Sequence, residues 1–540
     1  MRRTVLLAGV LAVPFSLFGQ SRAPALLPGM GHHHHPISSK VPEAQRYFDQ
    51  GLALVFGFNH EEAARSFQRA AELDPSSAMA YWGIALALGP CINLDVDAAH
   101  EKSAHEAIQK AMTLAGGANG NEQAYVEALS KRYSADPGAD LRKLDVAYAE
   151  GMKDLTRRYP DDLDAATLYA ESLMDLHPWK LWSLDGQPTE GTEEIVAVLE
   201  SVLKRDPQHI GANHYYVHTL EASPHPEWAL ESARRLETLS PGAGHLVHMP
   251  AHIYMRTGRY LAAAESNGHA AEVDKAYLQK TGTTGSVYDV MYYCHNLHFQ
   301  AAAASMAGRF AEAKHAADEL VVHVGPMVQG MPMAEVYLPT PIFILVRFHR
   351  WDEILKLPAP DARLAMTTAF WQFARGSAAA AKGEIGMAET EREKLEEARK
   401  NTAPEVEFSY YFNKARTFLD LASKILDARI AAARGDRERA IGFWEEAVRL
   451  QDGLNYGEPP EWFYPVRESL GAALLRDGKT EQAEAVFRAD LERNPRNPRS
   501  LFGLWKSLEV EKKTLDAEWV RREYESAWKN ADVALDPSDL

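Results

Sequence analysis

Small, aromatic and proline positions alternate with polar ones along the chain at the spacing of paired helices. In the stretch YFDQGLALVFGFNHEEAARSFQRAAELDP, Tyr47, Gly51, Ala63, Phe67 and Pro75 fit a helix–turn–helix unit of roughly 34 residues. Gly51 and Ala63 are small where two helices would cross, and Phe67 would fill the gap between neighbouring units. Pro75 ends the second helix, because it has no N–H to donate and its ring clashes with the preceding turn. The pattern predicts a pair of antiparallel helices here.

The same frame continues through most of the chain. Proline after a second helix recurs at 159–160, 206–207 and 240–241, and glycine in an inter-helix turn recurs at Gly308, Gly383, Gly435 and Gly478. Counting from these marks, first helices are expected to begin near Ala78, Leu163, Ile210, Gly244, Cys294, Ala369, Leu421 and Tyr464. The spacing predicts roughly ten units between residues 44 and 531, with stretched spacing at 91–160, 176–200 and 273–293.

These positions resemble those of the tetratricopeptide repeat (TPR) family. The resemblance implies an all-α, right-handed superhelical solenoid of TPR-like helix–turn–helix repeats, in which the first helix of each unit lines a concave groove. Proteins of this family usually bind peptides or partner proteins in that groove. A resemblance of this kind is specific for architecture and says little about function.

Composition narrows the range of partners. The 540 residues carry a formal net charge of −17, which argues against nucleic acid or an anionic membrane as the main partner, because both require a basic surface. The two cysteines, Cys91 and Cys294, are far apart in sequence, so no disulfide framework holds the chain together.

The N-terminus indicates export. Arg2 and Arg3 precede an apolar run from Thr4 to Phe18, followed by small residues suited to cleavage. We therefore expect a periplasmic or secreted protein with no membrane span beyond its signal; the alternative is an uncleaved N-terminal anchor. The predicted division is a signal peptide (1–21), a His-containing segment (22–43), TPR-like repeats with most of the histidines (44–272), further TPR-like repeats (273–531) and a C-terminal tail (532–540).

Histidines concentrate in consecutive first helices. In HLVHMPAH, His245, His248 and His252 have spacings of three and four, so they share one stripe of a helix. If the register of the resembling family holds, that stripe points into the open groove rather than the core. The same register places further histidines and carboxylates on this strip: His214, His218, Glu221, His295, His298, Glu171 and Asp175.

Such a strip suits a metal. His214/His218 and His248/His252 have the i, i+4 spacing that lets two imidazoles chelate one ion, and seven histidines exceed one tetrahedral site, so two ions are possible. We expect the ligands of a divalent transition metal (zinc, copper or iron) among His214, His218, His245, His248, His252, His295 and His298. Glu171 is the candidate general base, and Cys294 is either a soft ligand or a buried thiol.

The function inferred from the sequence is a metal-dependent enzyme, either a hydrolase or lyase or an oxidoreductase, acting on a small molecule. Two alternatives stay open: a non-catalytic scaffold that binds a peptide or protein in its groove, and a metal storage or delivery protein. The second would be favoured if the tract His32–His35 bound metal tightly. That tract is either a disordered tail or a segment that folds back into the groove.

Overall fold

The computed structural model describes residues 24–408 and 413–540, and the chain is α-helical throughout these ranges. Within them, extended pairing is confined to isolated bridges such as Trp182 with Pro188. The predicted signal peptide lies outside the described residues. No helix in the described ranges is both long and apolar enough to cross a membrane.

The helices follow one another with short connections. The first group is α1 (Pro42–Phe56), α2 (His60–Leu73), α3 (Ala78–Ala87), α4 (Ala98–Leu114), α5 (Gly120–Ser130), α6 (Leu141–Arg158), α7 (Leu163–Met174) and α8 (Thr192–Arg205). The second is α9 (Ile210–Glu221), α10 (Leu230–Leu239), α11 (Gly244–His248), α12 (Pro250–Arg256), α13 (Tyr260–Thr281), α14 (Cys294–Met306), α15 (Phe310–Val324), α16 (Thr340–Arg347) and α17 (Trp351–Lys356). The third is α18 (Ala365–Ala381), α19 (Ile385–Asn401), α20 (Ala415–Ala433), α21 (Arg437–Asp452), α22 (Val466–Arg476), α23 (Thr480–Arg493), α24 (Pro498–Val510) and α25 (Thr514–Ala527).

This is the all-α solenoid of TPR-like repeats that the sequence predicts. Five first helices (α3, α7, α9, α11 and α14) begin at the predicted residue, whereas α18, α20 and α22 begin two to six residues from it. The larger errors have a simple cause: α18 has 17 residues and α20 has 19, so counting back from the turn by a standard helix length starts too late.

Glycine lets neighbouring repeats close on an aromatic ring. The Phe67 ring in α2 lies between Gly51 of α1 and Gly83 of α3, where an added Cβ would come within 2.7 Å and 2.3 Å of it. The ring of Phe487 in α23 is held in the same way by glycines of α22 and α24. A larger side chain at these glycines would overpack the interface. The small and aromatic positions of the repeat thus act as predicted.

The concave side of the solenoid is covered rather than open. The Tyr260 hydroxyl in α13 donates to the carbonyl of Pro495 (2.9 Å), and Arg347 of α16 forms a buried ion pair with Glu468 of α22 (3.3 Å). The C-terminal repeats therefore pack back onto the middle of the chain. The expectation of an open groove is wrong at the histidine strip, because its imidazoles are buried and Tyr456, from the C-terminal part of the chain, contacts Glu221 of the strip.

Candidate metal centre

Six imidazoles from consecutive inner helices meet in the interior. They are His214 and His218 of α9, His245 and His248 of α11, His252 of α12 and His295 of α14. Although α11 and α12 are separate helices, Met249 between them keeps helical backbone angles (φ −52°, ψ −35°). His248 and His252 consequently stay on one side of the chain, as their spacing predicts.

The imidazoles form two sets of three. Triad A is His214, His218 and His245, and triad B is His248, His252 and His295; in each, one ligand atom per residue lies within 4.8 Å of the others. The Nε2 atoms of His214 and His245 are 3.1 Å apart, and those of His248 and His252 are 2.7 Å apart. Two nitrogens on one tetrahedral ion, with bonds of about 2.0–2.1 Å, would be about 3.3 Å apart. Both triads are therefore close to the dimensions of a three-imidazole metal site.

The triads lie side by side. The ring centroids of His245 and His248 are 5.6 Å apart, and those of His218 and His252 are 5.4 Å apart. Two ions, one in each triad, would be close neighbours, as in two-metal sites where both ions contact one substrate.

In triad B, hydrogen bonds determine that the Nδ1 atoms of His248 and His252 carry a ring N–H. The His248 Nδ1–H donates to Oδ1 of Asn267 (2.7 Å), whose amide nitrogen donates to the carbonyl of Ala263 (2.8 Å). The His252 Nδ1–H donates to Oε2 of Glu221 (2.5 Å). The Nε2 atoms of His248 and His252 therefore face each other across 2.7 Å, each with its Nδ1–H already committed to another acceptor. Burial lowers the pKa of His252 but Glu221 raises it more, so without a metal ion a proton on His252 Nε2 bridges the pair.

Triad A follows the same pattern. The His214 Nδ1–H donates to the backbone carbonyl of Phe56 (2.6 Å), and the His218 Nδ1–H donates to Oε1 of Glu221 (2.6 Å). Among the described residues, His218 Nε2 and His245 Nδ1 are buried without a hydrogen-bond partner. A buried polar atom without a partner is costly and is one sign of a bound ion or water.

Glu221 joins the two triads, because each of its carboxylate oxygens accepts from one of them. Burial raises the pKa of Glu221, but His252 and His218 lower it more, so the carboxylate is ionised. Tyr456 covers Glu221 from the loop at 453–465, with its hydroxyl 3.3 Å from Oε2.

Four of the six imidazoles are held neutral, whereas His252, beside Glu221, has a raised pKa. Burial and the neighbouring histidines lower the pKa values of His214, His245, His248 and His295 well below the usual value. Two lone pairs 2.7 Å apart repel unless a cation lies between or beside them, which means a proton or a metal ion. A proton bridges two nitrogens, whereas three imidazoles converge in each triad. The donor set therefore fits a metal ion better than a proton.

A cavity of about 610 Å³ leads to the triads. Its lining includes His218 and His245 of triad A and His252 and His295 of triad B. Its other walls are mainly apolar or aromatic and include Ile92, Leu94, Leu141, Trp179, Met291, Tyr292, Met333 and Tyr337.

Two predicted site residues lie elsewhere. His298 is outside both triads; its ring packs against Tyr337 (5.5 Å between centroids), and burial lowers its pKa to about 4. Glu171 is buried in α7, where burial and the nearby Asp175 raise its pKa well above the usual value. The carboxylate that contacts the imidazoles is Glu221, so a catalytic role for Glu171 stays a prediction.

Asn267 and the Phe56 carbonyl were not foreseen from the sequence. Asn267 is on the second helix of its repeat, and the Phe56 carbonyl belongs to a helix 158 positions from His214. Cys294 is a buried free thiol whose pKa is raised by burial, so of the two predicted roles its surroundings favour the structural one.

The tract His32–His35 is ordered and lies outside the triads. We call His33, His35, Asp164 and His209 the Asp164 cluster, since all three imidazoles approach one carboxylate. The Asp164 oxygens lie 3.0 Å from His33 Nε2, 2.7 Å from His35 Nδ1 and 3.1 Å from His209 Nε2. The segment is anchored nearby, because the backbone N–H of Gly242 donates to the carbonyl of Gly29 (2.8 Å). Of the two sequence expectations, the folded segment is right, although it does not enter the triads.

No family model matches the chain, and neither does any curated protein. Solved helical-repeat structures align along most of it. Human IFIT1, solved as a dimer with m7Gppp-AAAA, is 14% identical, with 92% of each chain covered and a TM-score of 0.34. Yeast Tom70 is 12% identical, with 91% of this chain and 93% of that chain covered and a TM-score of 0.30. At such scores these likenesses carry no conclusion about what the chain binds or does.

Proposed function

We propose that triads A and B bind two transition-metal ions, and that the protein is a metal-dependent enzyme with this dinuclear centre. The observation that carries the proposal is the convergence of three imidazoles in each triad, with the Nε2 atoms of His248 and His252 only 2.7 Å apart while both Nδ1 atoms are committed as donors. Three converging imidazoles per triad complete each ligand set.

The ligand atoms also limit which metals are expected to bind. All six ligands are imidazoles, whose neutral form suits zinc, copper, iron and nickel, whereas magnesium, calcium and manganese prefer oxygen. Glu221 acts from behind the ligands, where it fixes the tautomers of His218 and His252 and strengthens them as donors. Copper and zinc both fit three imidazoles, with copper first in general affinity.

An enzyme needs substrate access as well as ions. The cavity of about 610 Å³ supplies it, because it touches histidines of both triads. With three protein ligands each, the ions would keep open positions where they could polarise a substrate or activate water. The alternative of a peptide-binding groove has less support at this strip, because the C-terminal repeats cover it. Export remains a proposal based on residues 1–21.

Elemental analysis of untagged protein tests the proposal. We expect about two equivalents of metal per chain, and loss of the triad B ion in a His248→Ala/His252→Ala variant. His100→Ala/His105→Ala is the matched control, because these residues lie on α4 outside both triads. Native protein with no bound transition metal, and none taken up from solution, would refute the proposal.

A further inference from the structure

The cavity beside the triads has aromatic walls in contact with the candidate ligands. The Trp179 ring meets the His218 ring edge-on, with centroids 5.7 Å apart and planes at 84°. The Tyr292 ring meets the His245 ring at 4.7 Å and 65°. Both aromatic residues line the cavity, so two histidines of triad A are each backed by a ring that a bound molecule would also touch.

Trp179 is held in an unusual conformation. Its φ of 59° is in the left-handed region, which bulky residues rarely adopt and which surrounding contacts must stabilise. Three residues further along the same loop, the Trp182 Nε1–H donates to the carbonyl of Thr219 in α9 (2.7 Å). The loop carrying Trp179 is therefore fastened to the helix that carries His218, and the wall is preformed.

The rest of the lining is unfavourable to an anionic substrate. Ile92, Leu94, Met291 and Met333 are apolar, and the guanidinium of Arg142 is engaged with the carbonyl of Leu176. Four carboxylates also line the cavity, of which Asp145 and Asp175 are paired with Arg132 and Glu407 is paired with Lys414. The volume of about 610 Å³ is within the range of small-molecule sites, about 300–1,000 Å³.

We propose that this cavity binds a small aromatic molecule, with its ring against Trp179 and Tyr292 and a polar atom directed towards the two triads. This inference rests on the proposed metal centre for the role of that polar atom. The aromatic walls supply ring contacts that an aliphatic molecule of equal size would not make as well.

Calorimetric titration of the metal-loaded full chain with phenol tests the inference. Phenol should bind saturably and more tightly than cyclohexanol, which has the same polar atom and a similar size. Trp179→Leu and Tyr292→Leu should each weaken phenol binding by about 3- to 10-fold, the worth of an aromatic contact. Trp179→Phe and Tyr292→Phe keep a ring and should retain phenol affinity within about 2-fold.

Two controls distinguish binding to the aromatic walls of the cavity from binding to the metal ions. Inorganic phosphate can bind the ions directly, so its affinity should be the same in all four variants. Trp228→Leu changes an exposed residue outside the cavity and should leave phenol binding unchanged. Equal phenol affinity in the Leu and Phe variants, or cyclohexanol binding as tight as phenol, would overturn the inference while leaving the metal centre intact.

If the protein takes up no metal, the proposed function fails, and phenol titration of the metal-free chain still decides the inference. The walls do not depend on the ions, so the same ranking of variants is expected there. Absence of phenol binding to the metal-free chain would then overturn it.

Discussion

The metal centre and the Asp164 cluster contain the same kind of residue but place its protons in opposite ways. In the centre, four imidazoles donate their Nδ1–H outward, to Glu221, Asn267 and the Phe56 carbonyl. Their Nε2 atoms face inward, and among the described residues no carboxylate is grouped with either triad as a further ligand. In the Asp164 cluster the carboxylate is itself in the middle, and the imidazoles surround it.

His209 shows the difference most clearly. Its Nδ1 accepts the backbone N–H of Ala212 (3.1 Å), so the ring proton is on Nε2, which lies 3.1 Å from Asp164. A metal-binding Nε2 would need the opposite tautomer. Both regions bring potential ligand atoms within 4.8 Å of one another. The ring proton of His209 nevertheless points at Asp164, so we interpret that cluster as a hydrogen-bonded anchor for the N-terminal segment rather than as a ligand set.

The largest expected effect comes from Glu221→Ala. It removes the acceptor for both His218 and His252, so affinity for metal should fall in both triads, by about 10- to 100-fold each. Competition with a chelator measures this. Asp164→Ala should leave metal affinity unchanged, since Asp164 contacts neither triad. Equal metal loss in the two variants would abolish the distinction between the regions.

The sequence predicts much of the fold because glycine and proline mark the helix ends. The sequence also predicts correctly that six of the seven expected histidines lie close together. Their positions on α9, α11, α12 and α14 follow from where these helices begin. The sequence could not indicate the tautomers. They depend on contacts such as that of His214 with the Phe56 carbonyl, which joins distant helices through a backbone atom that no side-chain pattern reveals. It also missed the covering of the groove, because the contact of Tyr260 with Pro495 spans 235 positions.

A second, smaller effect is expected on stability. Asp164→Ala leaves the His209 Nε2–H and the His35 Nδ1–H without their buried acceptor and removes the ion-pair contact of His33, which should cost about 1–3 kcal/mol. Urea denaturation of metal-free protein measures the loss. His34→Ala is the control at the rim, because the exposed His34 side chain only pairs with Asp49 and its removal should cost less. A neutral Asp164→Ala would show that the cluster does not anchor the segment.

The Asp164 cluster should also respond to pH. Burial lowers the pKa values of His33 and His35, but Asp164 raises them more, so both end above the ordinary value of about 6.5. Asp49 and Asp162 act in the same direction on His35, and the His35 charge opposes that of His33.

A raised folded-state pKa stabilises the anchored form below about pH 6.5, and this contribution is lost as the pH rises through the raised pKa. Hydrogen exchange, corrected for intrinsic rates, should therefore show residues 27–37 loosening as the medium becomes alkaline. Peptides from α9 serve as the internal reference. Loosening on acidification instead would mean that these imidazoles are neutral in the folded protein.

The smallest expected effect comes from Tyr456→Phe, which tests whether the residue that covers Glu221 also contributes to metal binding. The Tyr456 hydroxyl lies 2.8 Å from Glu458 Oε1 and 3.3 Å from Glu221 Oε2, and its single proton is best placed on the shorter contact. Glu221 already accepts from both imidazoles without it, so Tyr456→Phe should change metal affinity by less than about 3-fold, while the lost hydrogen bond costs about 0.5–1.5 kcal/mol of stability. Chelator competition and urea denaturation on the same sample separate the two quantities. If Tyr456→Phe instead lowers metal affinity as much as Glu221→Ala, the loop at 453–465 helps to orient the carboxylate, and the ligand set of the centre depends on the C-terminal repeats as well as on α9, α11, α12 and α14.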